Sequence, residues 1–207
     1  MNESGLTARL KEVLQRIASH PRIYELIQFL AGARSAYRRV AFQAATLAPG
    51  SLILDLGGGT GLYRNAGSAA RMYVNLDNDM IKLQRFIRKI KDSNAILADG
   101  TCLPFKANSI DAVMCIAVSH HLSDRALEEM IHESCRVLRI GGTLLLLDAI
   151  WAPERCLGKL IWRYDRGSYP RTAEALNKRI SADYTIIHCE HYVIYHEYVL
   201  IRATKTL

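Results

Sequence analysis

The sequence predicts an α/β fold: a mostly parallel sheet with helices on both faces and an antiparallel C-terminal edge strand. Three observations predict it. Short apolar runs alternate with amphipathic stretches from Ser51 onward. A glycine-rich turn follows the first apolar run. Two more apolar runs, at 184–194 and 197–204, are joined by a link too short for anything but antiparallel pairing.

The elements follow in order. Residues 7–47 have helical spacing, with Leu10, Val13, Leu14 and Ile17, then Ile23, Leu26, Ile27 and Leu30. Pro21 divides this stretch and Ser19 suits a cap for its second half. Pro49-Gly50 marks a turn. Strands are expected at 52–56, 72–76, 95–98, 110–118 and 143–147, making seven with the final pair. Residues 80–90 and 127–138 repeat at helical spacing, and a helix start is expected near Ser123 or Asp124.

Composition excludes several classes. Of 207 residues, 50% are hydrophobic and 23% charged, too apolar for a disordered chain. With 13 glycines and 5 prolines the chain is not collagen-like. No apolar run reaches the roughly 18 residues of a membrane span; the longest, 143–151, is interrupted by Asp148. The N-terminal segment, with Glu3, Arg9 and Lys11, lacks the apolar stretch of a secretory signal, so a soluble, cytoplasmic protein is expected. The cysteines at 102, 115, 135, 156 and 189 are odd in number and widely spaced, which reads as buried free thiols. The net charge of +7 sits at the two ends of the chain, whereas residues 51–150 carry 11 basic and 11 acidic side chains. Basic flanks suit an anionic substrate or RNA, or simply a soluble surface.

The most informative segment is Leu54-Asp55-Leu56-Gly57-Gly58-Gly59-Thr60-Gly61. It lacks the Gly-Lys-Ser/Thr ending of a P-loop, and its glycine spacing fails the dinucleotide fingerprint. What remains is an acid followed by G-x-G-x-G. This pattern resembles the first motif of the class I S-adenosylmethionine-dependent methyltransferases, of the methyltransferase type 11 kind. The resemblance continues through Asp77 after the second strand and Asp99-Gly100 leading into Leu103-Pro104-Phe105. It extends to Ser109-Ile110-Asp111-Ala112-Val113 and to Arg136-Val137-Leu138-Arg139-Ile140-Gly141-Gly142, with Ile140 in place of the usual proline.

The resemblance implies a Rossmann-like three-layer sandwich, a single domain over 1–207, and S-adenosyl-L-methionine as cofactor. Within it, 1–50 is a helical cap, 51–150 the donor-binding core, 151–182 a lid insertion and 183–207 a hairpin. It places Asp55, Gly57, Gly59 and Gly61 at the methionine end of the donor. Asp77 falls at the ribose, and Asn78, Met80, Asp99 and Gly100 around the adenine. From the residues alone, Asp77 is either a ribose acceptor or a helix cap, and Asp55 a ligand contact or a loop support. Met80 is either an adenine cover or ordinary core, and Asp99 a ligand acceptor or a solvated loop acid.

The reacting end centres on Ser119-His120-His121-Leu122. His120 or His121 is a candidate general base, and in an extended segment the two rings would point apart. The alternative is a packing and capping role. Methyl transfer does not require a base, because alignment supplies much of its catalysis. For the acceptor, Tyr164, Arg166, Tyr169 and Arg171 mix rings with cations, and the same string also reads as a turn locked by Asp165–arginine pairs. No metal is expected: in a strand His188 and His191 face opposite sides. The leading function is methyl transfer to a small-molecule acceptor. A tRNA methyltransferase of the wobble-uridine kind is the alternative, and a non-catalytic partner protein on the same fold is a third reading. Oligomeric state is not legible.

Overall fold

A computed structural model of the chain describes residues 33–91, 93–155, 158, 162, 169–194 and 196–206. Tyr164, Arg166, Asp165, Cys156 and the helical stretch expected before residue 33 lie outside the described residues.

Helix α1 spans Ala33–Ala44, followed by strand β1 at Leu52–Leu56 and a short 3-10 turn at Arg64–Gly67. Next come β2 (Met72–Asp77), helix α2 (Met80–Lys89), β3 (Asn94–Leu97) and β4 (Ile110–Ile116). After a second 3-10 turn, Ser119–His121, helix α3 runs over Asp124–Val137 and β5 over Leu138–Ile150. Helix α4 (Ala173–Ile180), β6 (Tyr184–Val193) and β7 (Glu197–Lys205) complete the order.

The seven strands form one sheet in the order β3-β2-β1-β4-β5-β7-β6. Strands β1 to β5 pair in parallel. The C-terminal strand β7 is the antiparallel one, lodged between β5 and β6. Alternate side chains of the strands enter two separate cores. Leu54, Leu56, Val113, Cys115, Leu144 and Leu146 pack with Leu127 and Ile131 of α3 and Leu176 of α4. Ile53, Ala112, Met114 and Leu145 pack with Val40 of α1 and Phe86 of α2 on the other face. The result is the expected three layers.

Three of the described helix starts have side-chain caps; at α4, Thr172 accepts the Ala175 N–H at 3.2 Å. Asp79 accepts the N–H groups of Ile81 (2.9 Å) and Lys82 (3.2 Å), and Ser123 accepts that of Ala126 (3.3 Å). Helix α3 begins at Asp124, earlier than its apolar repeat shows, because capping rather than burial defines its first turn. Strand β5 is longer than expected. It starts at Leu138 and passes through Gly141 at φ +75°, where Ile140 stands exposed. The described cysteines are free, but Cys102 and Cys189 are exposed, correcting the reading of uniformly buried thiols. Among the described residues, no helix is long and apolar enough to cross a membrane.

Candidate active site

The glycine turn leaves the carboxyl end of β1, the edge at which parallel α/β sheets hold ligands. Gly57, Gly59 and Gly61 have φ of +73°, +54° and +76°, a region costly for any other residue. Gly58 is required for a different reason. A Cβ there would lie 2.3 Å from an Asp55 carboxylate oxygen and 2.6 Å from Asn75 Oδ1.

Asp55 and Asn75 lie under this turn. Asp55 is 1% exposed and accepts the Tyr73 hydroxyl, not the backbone amides of the loop. Burial pushes its pKa up to about 7; the Tyr73 bond works against the rise and nearby Asp77 adds to it. Asn75 donates to the Gly59 carbonyl at 2.9 Å. One oxygen of each, Asp55 Oδ1 and Asn75 Oδ1, is buried with no protein partner. Two orphaned acceptors beneath a glycine cradle fit a group that brings N–H donors and positive charge.

Asp77 ends β2 and is buried. Its Oδ2 accepts the Gly59 N–H at 2.9 Å and its Oδ1 the Asp79 N–H at 2.8 Å. The helix cap is therefore Asp79, and Asp77 instead ties the glycine turn to the end of β2. Each carboxylate oxygen keeps acceptor capacity for a diol. Asn78 and Met80 are exposed beside it, so Met80 is not core. Asp99, also exposed, accepts both the N–H and the hydroxyl of Thr101 at 2.9 Å. Gly100 packs close to Leu56, where a Cβ would come within 3.1 Å.

Across the crevice, at the ends of β4 and β5, lies a buried polar cluster. Asp148 is 1% exposed and receives the Ser119 hydroxyl, the His120 imidazole Nδ1 and the His120 backbone N–H at 3.1 Å. It also accepts the Ala149 N–H at 2.8 Å. Burial opposes its charge, but the adjacent imidazole and these hydrogen bonds hold its pKa below the usual carboxylate range. Residues 119–121 form a 3-10 turn rather than extended chain. The two imidazoles consequently do not point apart: their ring centroids are 4.0 Å from each other, with His120 buried and His121 exposed.

Trp162 packs edge-on to His120 at 5.8 Å between centroids and lies 4.8 Å from the His196 ring, which adjoins Tyr198. Arg171 sits beneath. Its guanidinium donates to the carbonyls of Ser119 (2.8 Å), Leu122 (2.6 Å) and Tyr169 (3.2 Å) and to Asp124 (2.7 Å). The Tyr169 N–H in turn donates to the His120 carbonyl at 3.1 Å. The Tyr169 ring is exposed. Arg171 thus fastens the histidine turn, and its ion-pair partner is Asp124.

Tyr73, Asn75 and Asp148 were not singled out as site residues by sequence reasoning. A signal was present for two of them. Asp148 and Asn75 are the lone polar side chains inside apolar strand runs.

The sequence profile of a methyltransferase domain family matches residues 54–146. A ubiquinone/menaquinone biosynthesis C-methyltransferase of Laribacter hongkongensis is 27% identical over 211 residues, covering 88% of this chain and 82% of that protein. A tRNA (carboxymethyluridine(34)-5-O)-methyltransferase of Arabidopsis thaliana is 32% identical over 138 residues, covering 65% of this chain. The match takes in only 33% of the plant protein's length. Among solved structures, a putative methyltransferase of Bacillus halodurans superposes with a TM-score of 0.70 at 20% identity, covering 84% of this chain and all of that one. The glycine cradle, the strand order and these likenesses agree: residues 54–146 match a methyltransferase domain family, and the fold is the one shared with the Bacillus halodurans putative methyltransferase.

Proposed function

We propose that the chain methylates a planar small molecule seated over the carboxyl ends of β4 and β5, with His120 as the general base. The observation that carries this reading is the buried Ser119–His120–Asp148 cluster walled by Trp162 and His196. Rings at that position suit a flat, largely apolar acceptor. The likeness to the Laribacter C-methyltransferase extends over 88% of the chain, including segments outside the donor-binding core, where acceptor specificity resides.

The donor would be held by the turn Gly57 to Gly61, with Asp55 and Asn75 beneath it. Asp77 would hold the ribose; Asn78, Met80, Asp99 and Gly100 would surround the adenine. When bound, S-adenosylmethionine supplies an electrophilic methyl on a sulfonium, a good leaving group. His120 takes the acceptor's proton, and Asp148 fixes the imidazole so that Nδ1 carries its hydrogen. Arg171 positions the turn that presents His120.

An RNA acceptor is the second reading, favoured by the 32% identity to the plant tRNA enzyme across the core. One experiment separates the readings: labelled donor incubated with metabolite, lipid and RNA fractions of a native extract. Label in the metabolite or lipid fraction supports the proposal. Label in RNA alone overturns it, and no label in any fraction favours a non-catalytic partner. Binding is checked separately by thermal shift. S-adenosylmethionine at 100 times its Kd stabilises by about 2.7 kcal/mol, and NAD or ATP does not.

A further inference from the structure

We propose that the layer formed by α1 and α2 is a surface for peripheral attachment to an anionic lipid bilayer.

Residues 51–150 are neutral along the chain, yet the fold sorts their charges by face. Helix α2 exposes Lys82, Arg85, Arg88 and Lys89, with Lys91 just beyond its end, and contains no acidic residue. The cap residue Asp79 reaches only Lys82, at 3.9 Å. On the opposite layer α3 carries Asp124, Glu128, Glu129 and Glu133 against Arg125 and Arg136. Helix α1, on the same side as α2, adds exposed Arg34 and Arg38.

The cations are interspersed with apolar side chains that the core does not use. Helix α2 buries Leu83 and Phe86 against the sheet. Its outer face still presents Ile81 and Ile87, 63% and 53% exposed, and Phe42 of α1 is 72% exposed. Ile81, Arg85 and Arg88 are spaced i, i+4, i+7, so they form one outward stripe. Helices α3 and α4, by contrast, present no exposed large apolar side chain.

A bilayer rewards both halves of this pattern. Lysine and arginine meet anionic headgroups, and aliphatic side chains enter the acyl boundary. A nucleic-acid backbone rewards the cations alone and leaves Ile81 and Ile87 without an apolar partner.

The test is co-sedimentation of the full chain with vesicles of phosphatidylcholine alone or mixed with phosphatidylglycerol. Binding is expected to the mixed vesicles only, with release at high salt. R85Q/R88Q should weaken partitioning on the order of thirtyfold, and I81S/I87S several-fold. Donor affinity, measured by calorimetry in both variants, should match the parent and so report intact folding. Equal binding to neutral vesicles, or binding to neither, overturns the proposal. So does tight tRNA binding that R85Q/R88Q abolishes and I81S/I87S leaves unchanged, which would make the layer a nucleic-acid surface.

Discussion

Asp148 holds His120 at two points, one carboxylate oxygen on the imidazole Nδ1 and the other on the backbone N–H of the same residue at 3.1 Å. Asp148→Asn keeps the shape and removes the charge. The transfer step should slow by about 10²-fold, within the usual range for general bases, with donor affinity unchanged. The acid limb of the rate profile should move to lower pH, because the imidazolium loses its counter-charge. His120→Ala should act similarly, and exposed His121→Ala should have little effect. Single-turnover rates across pH check this; an unmoved limb would reduce Asp148 to a packing role.

Asp77→Ala removes two diol acceptors and also releases the Gly59 and Asp79 amides. Hydrogen bonds to a charged group are worth about 1.5–3 kcal/mol. Donor affinity should fall roughly tenfold to a hundredfold in calorimetry. An unchanged Kd would move the ribose contact elsewhere.

Asp55 gives the fold a pH dependence of unusual sign for a carboxylate. Its pKa is 3.8 in the unfolded reference and about 7 in the folded chain, so between those values the folded state holds more protons. The stability from this proton is complete below the lower value and is lost as pH rises through about 7, with a slope of at most about 1.4 kcal/mol per pH unit. Asp55→Asn cannot titrate and can still accept the Tyr73 hydroxyl. Relative to the parent it should gain stability as pH rises through this window. Urea unfolding of both proteins across the window measures the difference, and parallel curves would contradict it.

Arg171→Ala leaves three carbonyls without a guanidinium donor around a side chain that is only 9% exposed. A loss of about 2 kcal/mol is expected, from the worth of charge-assisted hydrogen bonds. In a chain of this size that lowers Tm by roughly 4–8 °C. Transfer should slow because the His120 turn loosens, and donor affinity should hold. Arg171→Lys should rescue little, since an ammonium cannot span three carbonyls. Parallel loss of donor and acceptor affinity would show that the turn supports both sites.

The sheet and the glycine turn were legible because each rests on local pattern: apolar runs of strand length, and glycines at spacings that permit positive φ. Asp77 was legible by its place at a strand end, although Asp79, two positions on, proved to be the cap. The His120–Asp148 pair was not legible, because 28 positions separate its members and only the parallel pairing of β4 with β5 brings them together. Treating 119–121 as extended chain concealed the contact between the two imidazoles. Arg171 was found by its charge but given to the acceptor, since nothing local reveals that its donors are taken by the carbonyls of residues 119–122.

Strand β7 is the last of the seven in sequence and yet lies inside the sheet. During synthesis on the ribosome, β5 would have an open edge until residues 197–205 have emerged, and β6 would have no neighbour to join. The parallel strands can align earlier, but the side of the sheet beside Asp148 closes only with this final insertion. Folding of the reacting end thereby waits for residues 197–205, whereas the glycine turn and β2 have their strand neighbours once β4 is made.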